Sequence, residues 1–375
     1  VVSEELLEKV RRARPSVVVM GLGGAGCNIA SWIFEAGVAG GRVVAANTDV
    51  KNLSVQKADK LILLGEKSCG GHGCGGFPER GAAAARESLP EIKEELEGVS
   101  LLFLVAGLGG GTGTGAVPVV AELAREMGIL TICCVTIPFS MEFTRREKAR
   151  EAVRLLVEGG DAVVVIDNSR LLEVAGELPL RDALAVANSL VGSFVKNLTD
   201  AITQPGLVNL DYADLQVVMD QGGIASIGIG EGAGENRIEK AVEDAVSTPL
   251  LDIQELGESS GVLIQIIGGE DLTLDEVTTI GEKITEKVPT KKVVWGARIE
   301  ENLAGRVRVI AVITGVSSSI LKPGTKETLH PISKLASEVL EGKVEVEDRT
   351  ETGSDNSEVT VFGREIDKED LKPVY

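Results

Sequence analysis

The segment Gly107-Leu-Gly-Gly-Gly-Thr-Gly-Thr-Gly115 follows the apolar run 101–106 and leads into a helical stretch, 116–125. Few folds can absorb such a sequence. A strand that breaks into glycines and threonines before a helix is built to hold an anion. Without Cβ atoms the backbone turns sharply, and several N–H groups can converge on phosphate oxygens. The helix points the positive end of its dipole at the same spot. No Gly-Lys-Ser/Thr follows, so this is not a Walker loop, and the spacing is not that of a dinucleotide fingerprint.

Residues 16–190 alternate strand-like and helix-like segments. The runs 16–20, 43–46, 61–64, 101–106, 130–136 and 162–166 are almost wholly apolar, as parallel strands covered on both faces must be. Helical patterns over 78–97 and 145–157 separate them. This alternation predicts an α/β fold with a parallel, doubly wound sheet and ligands beyond the carboxyl ends of the strands. A long helical pattern over 180–203 ends at Pro205-Gly206 and reads as a central helix joining two halves. Beyond it, 207–248 reads as loop and helices. Strands at 262–267, 292–298 and 307–313 with a helix at 274–288 then make a smaller α+β domain.

The expected organisation is therefore an extension over 1–15, carrying a short amphipathic helix, and a nucleotide-binding domain over 16–179. A central helix over 180–205, an α+β domain over 206–316 and an acidic, flexible tail over 317–375 complete it. The net charge of −19 argues against nucleic acid and against direct binding to an anionic membrane. No run approaches the roughly 18–20 apolar residues of a membrane span, so no direct insertion is expected. Five cysteines, two of them adjacent, favour free thiols in a reducing compartment, hence the cytoplasm.

A second glycine loop, Gly21-Leu-Gly-Gly-Ala-Gly-Cys-Asn28, opens the sheet, and the next strand runs into Asn47-Thr-Asp49. Alone this would suit a Rossmann oxidoreductase. A third segment, 70–76, adds Gly75 and Gly76 as further phosphate contacts, and three such loops favour a triphosphate over a dinucleotide. No dehydrogenase-like His or Lys constellation accompanies them. Cys69, His72 and Cys74 invite a zinc reading, but only three donors cluster; a glycine loop with incidental thiols fits better, and no protein metal site is expected.

Glu142 could accept from ribose hydroxyls, and Arg146 could contact phosphate or base. A plain helix-start carboxylate is the other reading of Glu142. Asn168 and Asn188 carry amides able to read a purine edge, or are a cap and a solvated helix residue. In Asn209-Leu-Asp-Tyr-Ala-Asp214, Asp211 and Asp214 are carboxylates at i, i+3. They could polarise a water beside a phosphate or help hold a cation; the alternative is a helix start with Asp caps.

Taken in order, these motifs resemble the FtsZ family of the tubulin superfamily over about 15–316. The strongest is Gly109-Gly-Gly-Thr-Gly-Thr-Gly115, joined by Gly21–Asn28, Asn47-Thr-Asp49, Pro138-Phe-Ser-Met-Glu142, Asn209–Asp214 and Gly234-Glu-Asn-Arg237. The resemblance implies binding of GTP and GDP with Mg²⁺, head-to-tail self-assembly into filaments, and a role in cell division at the division site. A tubulin-like polymer for cell shape is the alternative.

It assigns phosphate contacts to Gly23, Gly24, Ala25, Asn28, Gly109, Gly110, Gly111, Thr112, Gly113, Thr114 and Gly115. Glu142 and Arg146 take ribose and base-side positions, and Asn168 and Asn188 read guanine. It implies that Asn209, Asp211 and Asp214 insert over the γ-phosphate of the neighbouring subunit, so that self-assembly activates hydrolysis of GTP to GDP and phosphate. Departures are Leu184 where the family stacks a phenylalanine on the base, Met141 in place of Phe, the Cys69–Cys74 loop, and a tail without the familiar bacterial carboxy-terminal peptide. Residues 359–366 are the expected docking segment for a membrane-tethering adaptor. These departures suggest a divergent, archaeal branch.

Overall fold

Near-continuous apolar runs make strands that need cover on both faces, and here they form the middle of one sheet. The computed structural model describes residues 15–170, 177–204, 206–219, 222–247, 259–290, 292–316, 358–361 and 364–367. The expected amino-terminal helix and most of the tail lie outside them. In chain order the first half comprises β1 (Val17–Leu22), α1 (Gly23–Ala36), β2 (Gly41–Asn47), α2 (Val50–Leu53), β3 (Lys60–Leu63), α3 (Glu66–Cys69), α4 (Pro78–Glu87), α5 (Leu89–Leu96), β4 (Leu101–Gly107), α6 (Thr112–Glu126), β5 (Leu130–Ile137), α7 (Phe143–Glu158) and β6 (Ala162–Asp167). The second half comprises α8 (Leu180–Thr203), α9 (Tyr212–Met219), β7 (Gly223–Ala233), α10 (Arg237–Ser247), β8 (Gly261–Gly268), α11 (Leu274–Lys287), β9 (Val293–Ile299) and β10 (Arg306–Thr314).

The sheet order is β3-β2-β1-β4-β5-β6-β7-β10-β8-β9. From β3 to β7 all pairs are parallel. β10 runs antiparallel to both β7 and β8, and β9 is parallel to β8. Side chains alternate between two cores, as the strand period requires. Met20, Leu104 and Cys133 face the layer of α4–α7. Val19, Phe103 and Cys134 face the layer of α1, α8 and α9.

The expected helix over 78–97 is two. Pro90 lacks an N–H and its ring crowds the preceding turn, so the chain breaks at Ser88, which serves as the carboxyl cap of α4 and the amino cap of α5. The helix after the long glycine segment starts at Thr112 instead of 116, so residues 112–115 are its first turn.

Residues 207–248, expected to hold loop and helices, contain β7, an eleven-residue strand. The sequence Gly223-Ile-Ala-Ser-Ile-Gly-Ile-Gly-Glu-Gly-Ala233 hides it, because glycine is a poor strand former in isolation. Here the alternate glycines face α10. A Cβ on Gly228 would lie 1.5 Å from the Ala245 carbonyl oxygen, one on Gly230 1.9 Å from that of Ala241, and one on Gly232 1.8 Å from that of Arg237. The helix backbone lies directly on the strand.

The central helix α8 runs over the expected residues and buries Val191, Phe194, Val195 and Leu198. Its one internal glycine admits a ring: a Cβ on Gly192 would stand 2.3 Å from Trp32 Cε3. Strands β11 (Glu358–Val361) and β12 (Arg364–Asp367) form an antiparallel pair of their own, Val359 opposite Ile366. This pair coincides with the expected docking segment.

Gly230→Ala should destabilise by about 3 kcal/mol, because helix backbone and not a flexible side chain blocks the Cβ. Gly281→Ala, in open space on α11, should stabilise by about 0.5–1 kcal/mol. Urea midpoints of the two variants check the contrast.

Candidate functional site

The turn after β1 and the turn after β4 lie side by side at the carboxyl ends of adjacent strands. They approach so closely that glycine is required. Gly23 has φ +73°, and a Cβ there would meet the Gly113 nitrogen at 2.8 Å; one on Gly26 would meet the Val105 carbonyl at 2.3 Å. Gly109, at φ +94°, has Pro138 Cγ 2.5 Å from its Cβ position. Gly111 and Gly115 are held against Cys74 and the Pro78 carbonyl at 2.6 and 1.9 Å, and Gly113 against the Gly107 carbonyl at 2.8 Å. Ala25 packs over Gly107.

Two glycines have no such reason. A Cβ on Gly110 would meet nothing within 4 Å, and one on Gly24 only the Asn52 amide at 3.9 Å. Both therefore leave open space in front of the amino ends of α1 and α6, where the helix dipoles favour an anion.

Hydroxyls complete the pocket. Thr114 Oγ1 accepts from the Gly109 N–H at 2.8 Å, and Thr112 Oγ1 lies 2.6 Å from Thr48 Oγ1. Buried Thr48, which sits within the Asn47-Thr-Asp49 motif but was not singled out, thus joins the glycine turn to the end of β2. Asp49 caps α2 by accepting from the Lys51 and Asn52 N–H groups. Gly75 and Gly76 sit exposed on the third loop, where Lys148 Nζ donates to the Gly76 carbonyl at 2.8 Å. Lys148 and Arg80 both stand over the exposed Phe77 ring, at 5.9 and 5.6 Å. These two cations lie within helices, and nothing in their spacing marked them.

Beside the pocket a cleft of about 490 Å³ is lined by Asn28, Ser31, Trp32 and Gln56 on one side and Asp182 and Asn188 on the other. Gln56 links Asn28 and Ser31, donating to Asn28 Oδ1 at 3.1 Å and accepting from Ser31 Oγ at 2.7 Å. Leu184 is 39% exposed and not part of that lining. Asn168 opens the 3₁₀ turn after β6.

Glu142 stands as the amino-cap residue of α7, its carboxylate paired with Arg145 and accepting from the Phe139 N–H. Arg146, expected at phosphate or base, is bidentate to Asp167 at 3.1 Å and donates to the Pro138 carbonyl at 2.7 Å. It ties the 138–142 loop to the end of β6, next to Asn168.

Asn209, Asp211 and Asp214 lie elsewhere. The Asn209 side chain accepts from the Gly206 N–H at 2.6 Å. Asp211 and Asp214 cap one another's N–H groups at 2.8 and 3.3 Å, opening α9. Leu210 is buried over Gly296, and Val208 pairs with Ala297, so the loop is pinned to β9. Tyr212 Oη donates to the Ser100 carbonyl at 2.9 Å, at the amino end of β4. The glycine turn is at the other end of that strand. Seven residues of β4 separate them, about 20 Å of extended chain. The central helix accounts for the separation: its 24 residues span about 36 Å. It starts beside the cleft, where Asn188 faces α1. It ends where the Asp200 carboxylate and Thr203 hydroxyl bond the main chain of Ala39, just ahead of β2.

Among the described residues no group of three or more His, Cys, Asp or Glu could hold a metal, and no helix is long and apolar enough to cross a membrane.

Residues 16–176 match the model of the Tubulin/FtsZ family, GTPase domain, and 223–317 that of the FtsZ family, C-terminal domain. Cell division protein FtsZ 1 of Pyrococcus furiosus is 45% identical over 331 residues, 88% of either chain. Cell division protein FtsZ 2 of Methanocaldococcus jannaschii is 43% identical over 335 residues, again 88% of each. Among solved structures, an empty FtsZ dimer of M. jannaschii matches with a TM-score of 0.78 at 43% identity, covering 84% of this chain and 93% of that one. CetZ2 from Haloferax volcanii, a GTPγS-bound protofilament, shares the fold at 23% identity, with a TM-score of 0.70 over 88% of this chain and all of that one.

Gly110→Ala and Gly24→Ala should leave stability within about 0.5 kcal/mol. Gly109→Ala should cost about 2–4 kcal/mol, from positive φ and the Pro138 contact together. If the open space holds phosphate, the first two variants lose about tenfold or more in triphosphate affinity while remaining folded. Thermal melts alongside binding of a fluorescent GTP analogue separate the effects.

Proposed function

Given that the chain belongs to the tubulin/FtsZ family and carries both FtsZ halves, we propose that it binds GTP at the paired glycine turns and hydrolyses it only after stacking head to tail on a second copy. The observation that carries this reading is the distance between the two chemistries. Phosphate-binding glycines lie at the carboxyl ends of the strands, and the exposed Asn209 and Asp211 and the half-buried Asp214 lie at the amino ends. No side-chain motion spans about 20 Å of strand, so the carboxylates can serve only the triphosphate of another molecule. Two different surfaces meeting in this way generate an open filament.

Both ends carry exposed apolar side chains suited to burial in such a contact. Phe77, Met141 and Phe143 are 55%, 77% and 48% exposed at the glycine end, and Leu207 is 72% exposed beside Asn209.

In the stacked pair, Asp211 and Asp214 orient and polarise the attacking water, with the Asn209 amide fixing its position. The glycine N–H groups and the α6 dipole stabilise charge on the phosphates. Asn28, expected at the phosphates, instead lines the cleft, and with Asn188 it reads the base there, Leu184 being an apolar neighbour. Glu142 and Asn168 border the sugar and base, and Arg146 positions their loops. Mg²⁺ takes oxygen ligands and keeps several waters; with buried Thr48 orienting Thr112 from behind, the Thr112 hydroxyl and the Asp49 carboxylate would suit an ion carried by the triphosphate. When bound, it neutralises charge on the β- and γ-phosphates.

The names of the relatives support a role in cell division; we place that role in the cytoplasm, at the division site. A membrane-tethering adaptor docking at 359–366 completes the reading.

Asp214→Asn keeps the helix cap and should lower turnover about 100-fold or more, with GTP affinity within about twofold. Wild-type turnover per subunit should rise with protein concentration, and a rate independent of concentration would rule out the shared site. Steady-state phosphate release across a dilution series measures both.

A further inference from the structure

The Sγ atoms of Cys69 and Cys74 stand 3.8 Å apart. Cys69 is half-buried among exposed neighbours at the end of α3, and Cys74 is buried beneath the glycine turn. Between them Gly70, Gly71 and Gly73 have φ of +59°, +76° and +78°, so the connecting loop is built from residues that bend without steric cost. The inner thiol packs behind the glycine turn, against the threonines that brace it. Cys74 Sγ lies 3.3 Å from Thr48 Oγ1 and 3.5 Å from Thr112 Oγ1, and its Cβ blocks a Cβ position on Gly111 at 2.6 Å. The remaining thiols, Cys27, Cys133 and Cys134, are fully buried in the cores.

We propose that Cys69 and Cys74 form a thiol–disulfide modification site, with a low-molecular-weight disulfide as co-reactant, that disrupts the phosphate site when oxidised. The Cys69 thiolate attacks one sulfur of the reagent, forms a mixed disulfide and releases one thiol. The Cys74 thiolate then attacks Cys69 Sγ, closes the protein disulfide and releases the second thiol. The protein gives up two protons and two electrons, and one reagent disulfide becomes two thiols. A covalent S–S bond of about 2.05 Å is far shorter than the present separation. In the oxidised form so proposed, Cys74 shifts toward Cys69 and loosens its contacts with Thr48, Thr112 and Gly111 at the start of α6.

This rests on the glycine turns being the GTP site, and the test separates the two ideas. The full chain is incubated with oxidised glutathione, then mapped by mass spectrometry after alkylation, and GTP binding is measured before and after. The expected product is an internal Cys69–Cys74 disulfide with Cys27, Cys133 and Cys134 still thiols. GTP affinity should fall about tenfold or more and return with dithiothreitol. Cys69→Ser should bind GTP as the reduced wild type does and ignore the oxidant. A stable glutathione adduct on Cys69 without ring closure, or a disulfide form that binds GTP as tightly as the reduced chain, would overturn the switch. A reduced chain that binds no GTP would bring down the nucleotide reading, and the switch with it.

Discussion

The burial of one face of α8 governs everything else in this molecule. Val191, Phe194, Val195 and Leu198 sink into a core shared by β1, β4, β5 and β6 on one side and by α9, β8 and β10 on the other. At about 1.5–3 kcal/mol for each fully buried side chain, these four contribute an amount comparable with the net stability of a whole domain, before ordering entropy is set against it. The same helix dictates direction. It leaves the cleft beside the glycine turns, runs antiparallel to the strands and delivers the chain to their opposite ends. The packing of α8 and the separation of the glycine turns from Asn209–Asp214 are one structural fact.

Much of this was legible in the residues. Apolar runs marked the parallel strands because double-sided burial leaves no room for alternation, and 180–203 read as a helix because its pattern has no breaker until Pro205. Strand β7 was not legible: its glycines look like a flexible loop until α10 is seen lying on them. Nor was the commitment of Arg146, since its partner Asp167 lies in another segment and the pairing exists only once β6 ends beside α7.

The glycine turns show a useful division. Most of their glycines are required by backbone crowding, which any tightly turned fold would impose. Gly24 and Gly110 are not, and the open space beside them is where the proposed phosphates would lie. The Asp211–Asp214 pair divides likewise: both carboxylates cap α9, so the structural reading holds, yet Asp211 stays exposed and Asp214 half-buried at a face that also presents Leu207. A residue can serve its own helix and a neighbour's substrate together.

The seam between β7 and α10 has a mechanical consequence. Ordinary cores absorb small displacements by rotamer changes, but Gly228, Gly230 and Gly232 have no rotamers, and the atoms facing them are main-chain carbonyls. The strand and helix therefore behave as a single stiff laminate. A displacement of α10 is thus carried by β7, and β7 in turn pairs through residues 223–225 with 162–164 in the GTPase-domain half of the sheet.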